Sequence, residues 1–272
     1  NLIKPRSKTR KISPYPQPFA PVKQVNECWS ADFKGQFKTR NGTWCFPLTV
    51  MDHKSRFLLD CSSFDGTKFE PTKAAFENLF REYGLPWRIR TDNGVPFASI
   101  AAGGLSRLSM WWVRLGIIPE RIEPGKPQQN GRHERMHRTL KEATAIPPAA
   151  TIAQQQKLFD SFRYEYNHER PQDGLEQKTP APQYQTSLRS MPEKLPVLAY
   201  PGYYKPALVH HNGVIHHQGH RVYVSGLHRK EKVGLEETSD GVWEVYYGPL
   251  RLGHFNMREI KKSQNDYLKI NV

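Results

Sequence analysis

Cysteine is scarce in this chain, acidic residues are outnumbered, and long apolar runs are missing. Its three cysteines, Cys28, Cys45 and Cys61, lack the paired spacing of a metal site and fall in segments patterned as strands. An odd, small count excludes a disulfide framework and points to reduced, buried thiols in a cytosolic protein. No apolar run approaches the length of a membrane span and no signal-peptide core is present, so a soluble, intracellular chain is expected. The acidic deficit is 26 Asp and Glu against 40 Lys and Arg, a net charge of +14. That imbalance implies a polyanionic partner, of which nucleic acid is the commonest, with an unspecialised basic surface as the plainer alternative.

What is present divides into an arm, a mixed α/β region and a β-rich end. Residues 1 to 26 are dense in Lys, Arg and Pro without hydrophobic periodicity, which predicts an extended basic arm or linker. Its cluster Arg6, Lys8, Arg10 and Lys11 suits phosphate contact. From residue 27, three strands joined by short turns are predicted: Cys28 to Phe37, Thr43 to Met51 behind the Asn41-Gly42 hairpin signal, and Ser55 to Ser63. A helix over Glu70 to Tyr83 follows, stopped by Gly84 and Pro86, then a strand over Trp87 to Arg90 that should join the sheet in parallel. A second helix, Leu105 to Leu115, places Leu108, Trp111, Trp112 and Leu115 on one core face. A short strand is expected around Arg121 to Glu123, a third helix from the Glu134 region to Ala145, and a fourth from Thr151 to His168. Residues 171 to 205 read as a Pro-rich linker. Five short strands in residues 206 to 262 then predict a small all-β barrel, and 263 to 272 a tail.

The chemistry concentrates in Pro127-Gln128-Gln129-Asn130-Gly131-Arg132-His133-Glu134-Arg135-Met136-His137-Arg138. Spelled H-E-x-x-H, it could hold zinc between His133 and His137 with Glu134 as general base. The crowd of Arg132, Arg135, Arg138 and Lys141 opposes a dication there. In the other reading Glu134 is itself a metal ligand, together with Asp32 inside the first strand and Asp92 at the mouth of the fourth. Three carboxylates from separate elements favour Mg²⁺ or Mn²⁺ over zinc. Two such ions can activate a water or a 3′-hydroxyl and stabilise the leaving oxygen of a phosphoryl displacement.

Trp29-Ser30-Ala31-Asp32-Phe33, Arg90-Thr91-Asp92-Asn93-Gly94 and Pro127 through Arg135 resemble the three acidic motifs of the DDE transposases with a retroviral-integrase-type core, closest to the bacterial insertion-sequence branch. Met136 to Lys141, Tyr166-Asn167, Arg170-Pro171, Leu175, Thr179-Pro180 and Tyr184 resemble the end of such cores. The resemblance implies an RNase H-like core over residues 27 to 170, with a mixed five-stranded sheet flanked by helices, followed by an SH3-like barrel that binds DNA. It implies a catalytic, metal-binding triad of Asp32, Asp92 and Glu134 holding two Mg²⁺ ions, Mn²⁺ able to substitute, with Asp32 bridging both. Asn93, Gln129, Asn130, Arg132, Arg135 and Lys141 would contact DNA, with Lys126 and Arg138 beside them.

The activity so implied is cleavage at transposon ends and 3′-hydroxyl strand transfer into target DNA, by a homodimer or larger assembly on double-stranded DNA in the bacterial cytoplasm, at the nucleoid. Two departures stand out. The 41 residues between Asp92 and Glu134 exceed the usual integrase spacing, the excess being expected in the loop around Ala98 to Gly104. An N-terminal helix-turn-helix domain, carried by related transposases, is not in this sequence. The alternatives are a catalytically silent DNA-binding regulatory relative, or a zinc hydrolase using His133, Glu134 and His137.

Overall fold

A computed structural model describes residues 19, 21–33, 35–123, 131–260 and 267–272, without the side chains of Arg132, Ile260 and Tyr267. The first strands form as their patterning requires: β1 (Cys28–Phe33), β2 (Phe37–Lys38), β3 (Trp44–Asp52) and β4 (Leu58–Phe64). β3 runs antiparallel to both β1 and β4, with Trp29 opposite Asp52 and Val50 opposite Asp60, and β2 continues the line of β1 against the start of β3. Helix α1 (Phe69–Tyr83) carries the chain over to β5 (Arg88–Thr91), which pairs in parallel with β1. Helix α2 (Arg107–Arg114) returns it to β6 (Ile118–Arg121), parallel to β5. The result is the expected mixed five-stranded sheet in the order β4–β3–β1–β5–β6, lengthened by β2.

β6 lies upstream of the expected Arg121 to Glu123. Pro119, which cannot donate a ladder hydrogen bond, is tolerated because β6 is an edge strand. One face of the sheet packs on α1 and α2 through Trp29, Phe76, Phe80, Leu108 and Trp112. The other packs on α3 (Gly131–Thr144) and α4 (Ile152–His168) through Met51, Leu58, Met136, Leu140 and Phe159. All three cysteines are buried and free, and burial pushes the Cys28 and Cys45 thiols up to about 12.

The Pro-rich segment after α4 is not a free spacer. It runs back along the core, with Tyr184 stacked on Phe57 at 4.5 Å, its hydroxyl donating to Asn26 Oδ1 at 2.9 Å, and Arg189 lying over the Trp87 ring at 4.1 Å. Leu85 N–H donates to Arg189 O at 2.6 Å. Proline suppresses regular structure here, while aromatic and arginine side chains supply the attachment.

The C-terminal part has two sheets, β7 (Lys205–Leu208), β10 (Lys232–Ser239), β11 (Val242–Tyr247) and β12 (Leu250–Asn256) in one, and β8 (Val214–His217), β9 (His220–Tyr223) and β13 (Tyr267–Lys269) in the other. A four-residue helix, α5 (Met257–Ile260), follows β12. The expected tail thus contains a strand paired with β9, and Ile270 beyond it is buried. Three residues are too few to show a strand period. The core of this part is continuous with Ala102, Leu105, Met110 and Val113 of the first region. Gly248 permits the approach, since a Cβ there would lie 2.9 Å from Val113 Cγ1. No helix among the described residues is long and apolar enough to cross a membrane.

Two buried ionisable groups set opposite pH responses. Burial pushes the Asp60 carboxyl up to about 6, against a hydrogen bond from Ser62 and the charge of Arg163. The unfolded chain releases that proton near pH 4, so Asp60 costs stability as pH rises from about 4 to 6 and leaves it unchanged below. Asp60→Asn is expected to raise stability by roughly 2–3 kcal/mol at pH 7.5 and by nothing at pH 3.5, read from paired thermal melts. His228 is fully buried against Tyr247, and burial pushes its imidazole down to about 4. Between pH 6.5 and 4 the unfolded chain takes up a proton that the folded chain refuses, so stability falls by about 3 kcal/mol on acidification across that window. Denaturant midpoints for His228→Phe should lose most of that dependence.

Candidate active site

β1 and β5 are central, parallel strands, and Ala31 of one is the partner of Thr91 of the other. The next residue on each is an aspartate. Asp32 and Asp92 therefore stand side by side at the C-terminal ends of adjacent strands, where open α/β sheets hold their ligands. Asp32 is buried, at 6% exposure. Asp92 is half-buried, and its Oδ1 accepts the Gly94 N–H at 2.9 Å, which fixes the turn leaving β5. Asn93 turns inward, its Nδ2 donating to Ile122 O at 2.9 Å. That bond tethers the end of β5 to the end of β6.

Helix α3 brings Glu134. Its inner face carries His133, Met136, His137 and Leu140, all buried, while Arg135 and Arg138 are exposed. The two histidines sit one helical turn apart with ring centroids 4.5 Å from each other. His133 Nδ1 is 2.8 Å from Ser30 Oγ, and the Nε2 atoms of both rings are 2.6 Å from Thr49 Oγ1. His137 Nδ1 lies 3.7 Å from Asp32 Oδ2. A hydroxyl has a single proton, so at least one of the two Nε2 atoms carries its hydrogen and donates to Thr49.

This arrangement points both histidines into the sheet. It also disfavours the zinc alternative. Both Nε2 atoms face one hydroxyl, and among the described residues no three His, Cys, Asp or Glu side chains gather closely enough to enclose an ion.

Glu134, about 100° around the helix from His133, lines a different space. A cavity of about 310 Å³ has Glu134, His137, Arg138 and Lys141 on its rim and Phe37, Pro47, Leu140 and Phe159 in its apolar wall. His137 therefore neighbours both Asp32 and the Glu134 cavity, and Asp92 neighbours Asp32 through the strand register. Among the described residues these carboxylates do not close into a metal-holding cage. Oxygen donors in an open arrangement suit hard divalent ions that keep free positions.

Of the expected DNA contacts, Arg135, Arg138 and Lys141 stand on the outer side of α3 and form no ion pair among the described residues. The side chain of Arg132, and Arg6, Lys8, Arg10, Lys11, Lys126, Gln129 and Asn130 entirely, lie outside the described residues. Sequence reasoning missed Ser30 and Thr49, because a small hydroxyl residue within an apolar strand carries no distinguishing signal. It also missed the brace formed by Arg88, Arg90, Glu27 and Glu120. Arg88 reaches Glu120 and Glu27 at 2.7 Å each, and Arg90 reaches Glu120 at 2.9 Å, across the ends of β1, β5 and β6.

Two integrase core domain models match residues 22–127 and 115–180, and the model of the IS481 family transposase C-terminal domain matches residues 206–263. The insertion element IS407 protein of Burkholderia multivorans is 28% identical over 157 residues, 57% of this chain and 54% of its own length. The insertion element IS476 protein of Xanthomonas euvesicatoria is 28% identical over 181 residues, 66% of this chain and 50% of its own length. The chain thus spans about half the length of these relatives. In fold, it is similar to a chain of the simian T-cell lymphotropic virus intasome solved with the PP2A regulatory subunit B56 gamma, with a TM-score of 0.50, 18% identity, and coverage of 88% of this chain and 84% of that one. Along its length the chain thus carries an integrase core domain followed by an IS481 family transposase C-terminal domain.

Proposed function

We propose that the protein is a DNA transposase that cleaves at transposon ends and transfers the 3′-hydroxyl so freed into target DNA, with Asp32, Asp92 and Glu134 as its catalytic carboxylates. The observation that carries this reading is the pairing of Ala31 with Thr91, which sets two aspartates side by side at the C-terminal ends of the central strands, together with His137, which links Asp32 to the Glu134 cavity. A pair of Mg²⁺ ions, replaceable by Mn²⁺, would be held by Asp32, Asp92 and Glu134 and would supply activation of the attacking oxygen and neutralisation of the leaving one.

The remaining work falls to the chain's own side chains. Arg135, Arg138 and Lys141, exposed along α3, bind the DNA backbone electrostatically, and Arg138 and Lys141, on the Glu134 cavity, hold the scissile phosphodiester. Thr49 and Ser30, through the two histidines, keep α3 at one height on the sheet, so that Glu134 stays turned toward its cavity. Joining two transposon ends needs two such sites, which calls for a homodimer or larger assembly on double-stranded DNA. The working compartment on this reading is the bacterial cytoplasm, at the nucleoid.

Glu134→Gln and Asp92→Asn keep size and shape while removing a charged oxygen donor. Each is expected to lower Mg²⁺-dependent strand transfer on pre-cut oligonucleotide ends by two orders of magnitude or more, about 3 kcal/mol of barrier, without changing DNA affinity measured in the absence of metal. Wild-type rates in Glu134→Gln would refute the assignment. A wild-type protein that binds the same ends yet gives no metal-dependent turnover would be a silent DNA-binding relative instead.

A further inference from the structure

On the side of α3 away from the Glu134 cavity lies a second hollow, of about 260 Å³, between that helix, the β3–β4 turn and the segment that follows α4. Arg56, Arg135, Arg138 and Arg170 line it, with Asp173 as the acidic residue of its wall. Among the described residues none of the four arginines forms an ion pair. Elsewhere in the chain Arg88, Arg90, Arg114 and Arg251 are paired with glutamates. Like charges gathered at a surface repel by on the order of 1 kcal/mol per pair, so an unpaired cluster of four is a strain that a bound oxyanion would relieve.

Arg56 is held there from two directions. Its backbone takes φ 61°, a left-handed conformation that a residue with a long side chain rarely adopts, in the turn closed by its own N–H to Asp52 O at 2.9 Å. Its guanidinium occupies space that Gly174 leaves open: a Cβ at that glycine would run into it. The buried Tyr166 forms the floor. Burial pushes its phenol up to about 12, and Arg56, Arg170 and Arg135 pull the other way, so all three cations bear on one ring. Planar guanidinium forks converging on a polar hollow match the oxygens of a phosphate group.

We propose that this hollow is a phosphate-binding site, built by Arg56, Arg135, Arg138 and Arg170, which receives a non-reacting phosphodiester of the DNA strand that passes along α3. Arg138 lines both hollows, so the two lie on either side of a single helix edge. The inference rests on the DNA reading of α3 given above, and it adds Arg56 and Arg170, which belong to none of the acidic motifs. The ligand chemistry is a phosphate oxyanion, from a DNA backbone or from free phosphate.

Duplex DNA binding measured against salt concentration, without divalent metal, tests it in the full chain. Arg170→Gln and the double variant Arg56→Gln/Arg170→Gln should each lower the slope of log affinity against log salt, the double variant by roughly one unit. Lys157→Gln, an equal loss of charge at an exposed position on α4, should leave the slope unchanged. Thermal melts check the fold of each variant, and Arg170, exposed and on regular backbone, decides the matter should Arg56→Gln not fold. A double-variant slope equal to that of Lys157→Gln overturns the proposal. Inorganic phosphate supplies the second arm: if 10 mM protects Arg56 and Arg170 from phenylglyoxal while the DNA slope matches the control, the site belongs to free phosphate and its assignment to DNA is overturned. No turnover is read, so failure of the carboxylate assignment through Glu134→Gln stays separate from failure here.

Discussion

A single hydroxyl, Thr49 Oγ1, meets the Nε2 atoms of both His133 and His137, and the geometry of the candidate site depends on that contact. Helix α3 contributes few apolar residues to the core, chiefly Met136 and Leu140. Apolar contacts alone tolerate sliding and rotation, because they are not directional. Two imidazoles one turn apart, directed at one oxygen with a further bond from His133 to Ser30, remove that freedom. Rotating the helix by one residue would swing Glu134 about 100° away from its cavity and leave two buried rings without partners. The seam is therefore a positional lock, and its last member, His137, ends beside Asp32.

The strand register is the second lock, and it is independent of the first. Backbone ladders fix Ala31 against Thr91, so the two aspartates are placed by main-chain hydrogen bonds rather than by side-chain packing. Behind them, Glu120 of β6 gathers Arg88 and Arg90 of β5, and Arg88 extends the brace to Glu27 just before β1. These are mostly buried charges, satisfied by one another, and removing one would strand the rest. The carboxylate ends of the strands are thus open to a ligand while the body of the sheet is cross-tied.

Much of this was legible in the sequence. The hairpin order of β1, β3 and β4, the stop of α1 at Gly84, the core face of α2 and the three acidic motifs all carry local signals, and the sheet and helices follow them. The direction of the histidines is not legible there, because an i, i+4 pair specifies a shared helical face without saying which way that face points; the answer lies in Thr49, 84 residues before His133. The Pro-rich strap reads as a spacer in sequence because its attachments, Tyr184 on Phe57 and Arg189 on Trp87, join residues distant along the chain. β7 and β13 are four and three residues long, below the length at which alternation can be recognised.

The long interval between Asp92 and Glu134 acquires a reason from packing. The loop around residues 98 to 104, to which the sequence reading assigns the excess, is not spare surface. Ala102 and Leu105 lie in the hydrophobic core of the C-terminal sheets. Arg121, the last residue of β6, donates to the carbonyls of Gly103 at 3.0 Å and Gly104 at 3.4 Å. A continuous path therefore runs from the C-terminal β sheets through this loop to the end of β6, from which the chain departs towards Glu134. Pulling the C-terminal part away would expose apolar surface on both sides and loosen the anchor of that departure. The added length works as a bracket that couples the seat of the C-terminal domain to the strand end nearest the carboxylates, and it does so without interrupting a single ladder of the central sheet.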